Sequence, residues 1–106
     1  MINELCKKAH ENAVNKGFYE KEVSFGEKIA LMHSELSEAL EEYRDKKEVT
    51  EIYFTCKNPE GIPIEFADVL IRIFDACGHY GIDLEESIKI KMEYNEGRTY
   101  KHGKVI

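Results

Sequence analysis

Pro63-Ile64-Glu65-Phe66-Ala67-Asp68-Val69-Leu70-Ile71-Arg72-Ile73-Phe74-Asp75-Ala76-Cys77-Gly78-His79-Tyr80 is the stretch on which the reading turns. Proline suits the first turn of a helix, where its missing N–H is not needed, and Gly81 stops the run. The polar residues Glu65, Asp68, Arg72 and Asp75 stand at steps of three, four and three. At 100° per residue they fall within about 80° of one another and form one row. Phe66, Ala67, Val69, Leu70, Ile71, Ile73, Phe74 and Cys77 fill the rest of the circumference, so the spacing predicts a buried helix. Carboxylates inside such a helix are costly unless paired or bound to a cation. Arg72 cannot serve Glu65 and Asp68 together while Asp75 competes for it.

Upstream, Ser24-Phe25-Gly26-Glu27 fits a capping box and opens a helix to about Lys47. Its apolar positions Ile29, Met32, Leu36, Leu40 and Tyr43 recur at three- and four-residue steps, a stripe expected to be core. Glu35, Glu38 and Glu42 lie together beside that stripe. If the two helices pack antiparallel, Glu35, Glu38, Glu65 and Asp68 converge, and that much negative charge in a confined site calls for a divalent cation. Oxygen-only ligands favour magnesium or manganese over zinc. Taken alone, Glu35, Glu38, Glu41 and Glu42 also fit a solvated face paired with Lys28, Arg44, Lys46 and Lys47; the apolar surroundings of Glu65 and Asp68 resist that account.

The remaining elements follow from local signals. A first helix runs from about Ile2 to Lys16 and ends at Gly17. Residues 48 to 63 read as a loop with one short element, because Val49 to Thr55 favours extended structure and Asn58-Pro59-Glu60-Gly61 is turn chemistry. Asp83 caps a last helix to about Arg98, with Glu86 at the third position, and a short tail from Thr99 to Ile106 follows. On this helix Lys91, Asn95 and Arg98 line up at steps of four and three. A basic end that complements the helix dipole explains them alone; beside an acidic metal cluster they suit phosphate oxygens. The whole is expected to be one all-α domain over residues 1–106, a bundle of four or five helices.

Composition narrows the function classes. The 106 residues carry 21 acidic and 15 basic side chains for a net charge of −6, which repels a nucleic-acid polymer and leaves no basic stripe. No apolar run approaches a membrane span and the N-terminal residues lack a signal pattern, so a cytoplasmic protein is expected. Three separated cysteines, Cys6, Cys56 and Cys77, form no zinc pattern and read as reduced, mostly buried thiols. His10, His33, His79 and His102 are too scattered to suggest catalysis. A ferritin-like di-iron bundle needs Glu-x-x-His pairs, and the sequence has none.

The ordered set Glu35-x-x-Glu38, Glu65-x-x-Asp68 and Lys91-x-x-x-Asn95-x-x-Arg98 resembles the all-α nucleoside triphosphate pyrophosphohydrolases of the MazG type. So does the phrasing of Gly61 to Arg72 and of Tyr100-Lys101-His102-Gly103-Lys104. The likeness covers about residues 24 to 104. It implies that Glu35, Glu38, Glu65 and Asp68 coordinate magnesium, with manganese as a substitute, and that Lys91, Asn95 and Arg98 hold phosphates or support the metal site. It also implies attack by a metal-activated water between the α and β phosphates, with Glu38 or Glu35 as base, and a homodimer or homotetramer. The small size argues for assembly independently. One departure is Ser34, where the family often carries a further Glu. The base pocket has no signature: Phe18, Tyr19, Tyr43, Tyr53 and Phe54 could stack on a base or fill core and interface. The rival reading is a helical oligomer that binds metal or nucleotide without turnover.

Overall fold

In the computed structural model, which describes residues 1–98, the chain forms α1 (Ile2–Asn15), α2 (Phe25–Arg44), β1 (Tyr53–Thr55), β2 (Asn58–Glu60), α3 (Ile62–Tyr80) and α4 (Leu84–Glu96). The all-α class holds, with four helices and one small hairpin. The tail from Thr99, with His102 and the Tyr100 to Lys104 segment, lies outside the described residues. No helix among those described is long and apolar enough to cross a membrane.

Each helix end has a local cause. Gly17, at φ +85°, takes the left-handed conformation after α1, and the Gly17 and Phe18 amides close back on the carbonyls of Val14 and Ala13. The Ser24 hydroxyl accepts from the Glu27 amide at 3.1 Å and donates to the Glu27 carboxylate at 3.2 Å. At the far end of α2, Lys46 adopts φ 64°, and the Lys46 and Lys47 amides return to Tyr43 and Glu42. The helix therefore stops at Arg44, three residues before the expected Lys47, because a side-chain-bearing residue accepts the left-handed position that glycine usually takes.

The segment expected to be loop contains an antiparallel hairpin that pairs Tyr53 with Glu60, Phe54 with Pro59 and Thr55 with Asn58. Cys56 and Lys57 both have positive φ, the two-residue primed turn that matches strand twist. The turn leaves Cys56 exposed, whereas Cys6 and Cys77 are buried. Tyr53 ties the ribbon to α2 by donating to Glu42 at 2.8 Å. Glu42 thus leaves the acidic row to which its spacing assigned it.

The strongest packing is of α3 against α1 on one side and α2 on the other. Gly78 makes the α1 contact possible: a Cβ there would lie 2.7 Å from both the Cys6 carbonyl oxygen and the His10 Cβ. Around this approach sit the buried residues Cys6, Ala13, Ala76 and Cys77, with Ala39 and Ile62 on the α2 side. α4 is joined at its first turn. Asp83 accepts from the Glu86 amide at 3.0 Å, while Glu85 accepts from the Ile2 amide at 2.8 Å and so caps α1, which has no side-chain cap of its own.

Two burial expectations fail. The α2 stripe is not core within one chain, since Leu36 is 51% and Tyr43 63% exposed, and Ile29 and Leu40 are also open. α3 is not buried all round either: Phe66, Leu70 and Ile71 are exposed. The physical reason is that α1 and α2 cover two flanks of α3, while α4 leaves along the end of α1 and covers neither stripe. We predict that Gly78→Val, which forces α1 and α3 apart, lowers unfolding stability by about 1–3 kcal/mol in a urea titration; an unchanged midpoint would mean that this contact does not hold the helices together.

Candidate metal centre

The antiparallel seam of α2 and α3 brings acidic side chains together in reverse order: Glu35 lies opposite Arg72, and Glu38 opposite Glu65. Carboxylate oxygens of Glu35, Glu38 and Glu65 all lie within 4.8 Å of one another, a spacing that fits shared ligation of one small cation. Asp68 stands one turn beyond Glu65 on α3 and lines a cavity with Glu35. The charges of Glu35 and Glu38 both act on it. The four carboxylates singled out by spacing therefore share one seam, three as a tight cluster and Asp68 at its edge.

Charge at this seam is poorly balanced. Arg72 donates from Nε to Glu35 at 2.8 Å, and it pairs with none of the other carboxylates. Asp75 does not compete for it, because the Asp75 carboxylate is taken by the Tyr19 hydroxyl and by His10 Nδ1, each at 3.0 Å. Arg72 is thus the residue the linear reading undervalued; its four-residue step from Asp68 was the available signal.

Burial, with a hydrogen bond and charge from Glu38 and the charges of Asp68 and Glu35, pushes the Glu65 carboxyl up to about 7. Burial first, then Glu35 and Glu38, also raises Asp68, against a smaller opposing pull from Arg72. Glu65 Oε2 is buried with no hydrogen-bond partner among the described residues. An orphaned carboxylate oxygen inside a cluster of like charges is the condition that a divalent cation relieves, and an all-oxygen donor set suits magnesium or manganese. The residues present fit such an ion.

The cations of α4 are elsewhere. Lys91 on α4, and Arg98, which lies just past the end of the helix at Glu96 instead of within it, approach the ring of Tyr94 at 5.0 and 4.4 Å from its centre. Neither they nor Asn95 bond to the acidic seam among the described residues. Ser34 is exposed on α2 beside Glu35. Of the aromatic candidates, Phe18 and Tyr19 line a cavity next to the seam, while Tyr43 and Phe54 are exposed and Tyr53 is held by Glu42.

Comparison with family models, curated proteins and solved structures returns no match to this chain.

The Glu65 shift fixes a pH dependence. Its carboxyl rises from 4.5 to about 7 on folding, so between those values the native chain holds a proton that the unfolded chain has released. Without metal, stability is therefore greatest below this window and falls as pH rises through it. A bound cation displaces the proton, so magnesium affinity should climb across the same window and level off above it. Calorimetry at about pH 6 in buffers of different ionisation enthalpy should read release of roughly one proton per ion; affinity that ignores pH there would remove Glu65 from the site.

Proposed function

We propose that the chain is a magnesium-dependent nucleoside triphosphate pyrophosphohydrolase of the MazG-like all-α type, working as a homo-oligomer and converting (deoxy)nucleoside triphosphates, including non-standard ones, to monophosphate and pyrophosphate. The observation that carries this reading is the orphaned Glu65 oxygen within the Glu35, Glu38 and Glu65 cluster, on helices that also hold Asp68. A solvated acidic face would leave no carboxylate oxygen both buried and unpaired.

The four carboxylates would hold the cation, which supplies charge neutralisation at the phosphate oxygens and activates water. Arg72 fixes the orientation of Glu35. Glu38 is the exposed member of the cluster, which suits it to take the proton of the attacking water, with Glu35 as the other candidate. The water oxygen would bond to the phosphorus on one side of the α–β bridge as its proton passes to the base, the bond from that phosphorus to the bridging oxygen would break, and the bridging oxygen would stay with the other fragment, giving monophosphate and pyrophosphate. Lys91, Asn95 and Arg98 would bind phosphate charge. Because these three do not bond to the seam among the described residues, they would act across an oligomer interface. The uncovered apolar positions Leu36, Leu40, Phe66 and Leu70 favour such assembly.

One observation favours a different reading, a helical oligomer that binds metal or nucleotide without turnover: Lys91 and Arg98 lie over Tyr94 instead of facing the carboxylates. Pyrophosphate release from a panel of canonical and modified triphosphates separates the two. The enzyme reading predicts metal-dependent release that falls at least about 100-fold in Glu38→Gln and in Asp68→Asn, with helical content by circular dichroism nearly unchanged. Silence across the panel with metal or nucleotide binding retained would establish the binding module, and unfolding of both variants would make the carboxylates structural.

A further inference from the structure

A cleft runs from the acidic seam along α3 toward the α1–α2 connection. It has two lobes, each of about 240 Å³, which share Phe18, Arg72 and Asp75. One lobe ends at Glu35 and Asp68, the other at Lys28 and Tyr19. Together they fall within the size of small-molecule sites, roughly 300–1,000 Å³. We propose that this cleft seats the nucleoside of the substrate, with Phe18 stacking on the base and Asp75 accepting from an exocyclic amine. The assignment rests on the reading of the seam as a metal–phosphate site and extends it to the base.

The spacing along α3 supports this division of the cleft. Asp68 and Asp75 are seven residues apart, so two helical turns, about 10 Å, separate the metal end from the far acceptor. That is close to the reach from a nucleotide's first phosphate to the outer edge of its base. Arg72 lies between them and lines both lobes, and its Nε is already committed to Glu35. Its terminal nitrogens are therefore placed for the sugar or the first phosphate.

The far end is built and held. Tyr19 packs edge-on against His10, with ring centres 4.9 Å apart, and tilted against His79 at 4.6 Å. Its hydroxyl donates to Asp75 and accepts from Lys28 Nζ at 2.9 Å. His10 also reaches Asp75 Oδ1, so two donors fix the carboxylate in orientation, while Oδ2, which shares only the Tyr19 hydroxyl, keeps a lone pair. Phe18 is the contrast. It is 67% exposed and lines both lobes, and no described aromatic ring pairs with it. A large rigid ring left open beside a polar cleft is suited to a base, whose faces stack without regard to sequence.

The donor pattern sets the preference. The far lobe offers a carboxylate, which only accepts, beside an ammonium, which only donates. Cytosine, like adenine, places an exocyclic amine next to an acceptor ring nitrogen and satisfies both, and a carboxylate is a natural acceptor for that amine. Uracil turns a carbonyl oxygen toward the carboxylate and leaves an acceptor unpaired, the kind of mismatch that polar sites reject strongly.

The test uses deoxycytidine and deoxyuridine, which differ only in the 4-amine and the adjacent ring nitrogen, an acceptor in one and a donor in the other, and, being uncharged, need neither metal nor turnover. Each nucleoside is titrated into the metal-free protein and followed by amide chemical shifts. The proposal predicts that deoxycytidine binds at least about tenfold more tightly, with shifts centred on Phe18, Tyr19 and Asp75. Phe18→Ala, at an exposed position, should weaken binding of deoxycytidine about tenfold with an unchanged circular dichroism spectrum. Asp75→Asn, if it folds, should erase the discrimination. Equal affinities, no binding of either nucleoside, or indifference to Phe18→Ala would overturn the proposal. Failure of hydrolysis would leave the nucleoside result standing, whereas pyrophosphate release with no base preference would sink this assignment alone.

Discussion

Too many carboxylates meet too few cations along the seam of α2 and α3, and most of what distinguishes this chain from a plain helical hairpin follows from that imbalance. Glu35 has Arg72, whose charge reaches Asp68 only weakly, and among the described residues no cation pairs with Glu38, Glu65 or Asp68 and Glu65 Oε2 has no hydrogen-bond partner. Burial first, and then like charges brought within a few ångströms, penalise ionisation, which is why the Glu65 carboxyl is pushed up to about 7. Such a cluster is an expense in a purely structural bundle, because apolar residues of similar volume would usually serve as well or better. It becomes reasonable when a divalent cation completes it.

The second constraint is incomplete burial. Cys6, Ala13, Ala39, Ile62, Ala76 and Cys77 make a thin core. The long aliphatic side chains of α2 and α3 lie mostly outside it, forming open stripes along pockets such as the one bounded by Leu36, Tyr43 and Phe66. Small residues let α1 and α3 approach closely, which fixes the direction of the acidic row but buries little apolar area. A second copy seated on the open stripes would supply the missing burial and could bring α4 cations to the seam from outside the chain. Fold stability and site completion would then have a common origin in assembly.

Much of this was legible in the sequence where it depended on local chemistry. Ser24, Asp83, Gly17 and Gly81 each mark a helix boundary because a cap or a left-handed residue is a property of a few neighbouring atoms. The acidic rows were legible because helical periodicity places Glu35 with Glu38 and Glu65 with Asp68 whatever else the chain does. What was not legible depended on packing across the chain. The stripe at Ile29, Leu36 and Leu40 has the period of a core-facing surface, but periodicity cannot say whether the facing surface belongs to the same chain. The hairpin was hidden because Cys56 and Lys57 adopt positive φ without the usual Asn-Gly signal. The pairing of Asp75 with Tyr19 and His10, which frees Arg72 for Glu35, joins residues distant in sequence, and no local pattern announces it.

The central claim is that the Glu35, Glu38 and Glu65 cluster, with Asp68 beside it, is a divalent-cation site. The most direct measurement is anomalous diffraction from crystals grown with manganese, collected near its absorption edge. The account predicts a strong peak between the carboxylates of Glu35, Glu38 and Glu65, with Glu65 Oε2 among the ligands at about 2.0–2.3 Å. Manganese bound elsewhere, or a cluster that stays metal-free at millimolar manganese above pH 7, would contradict it.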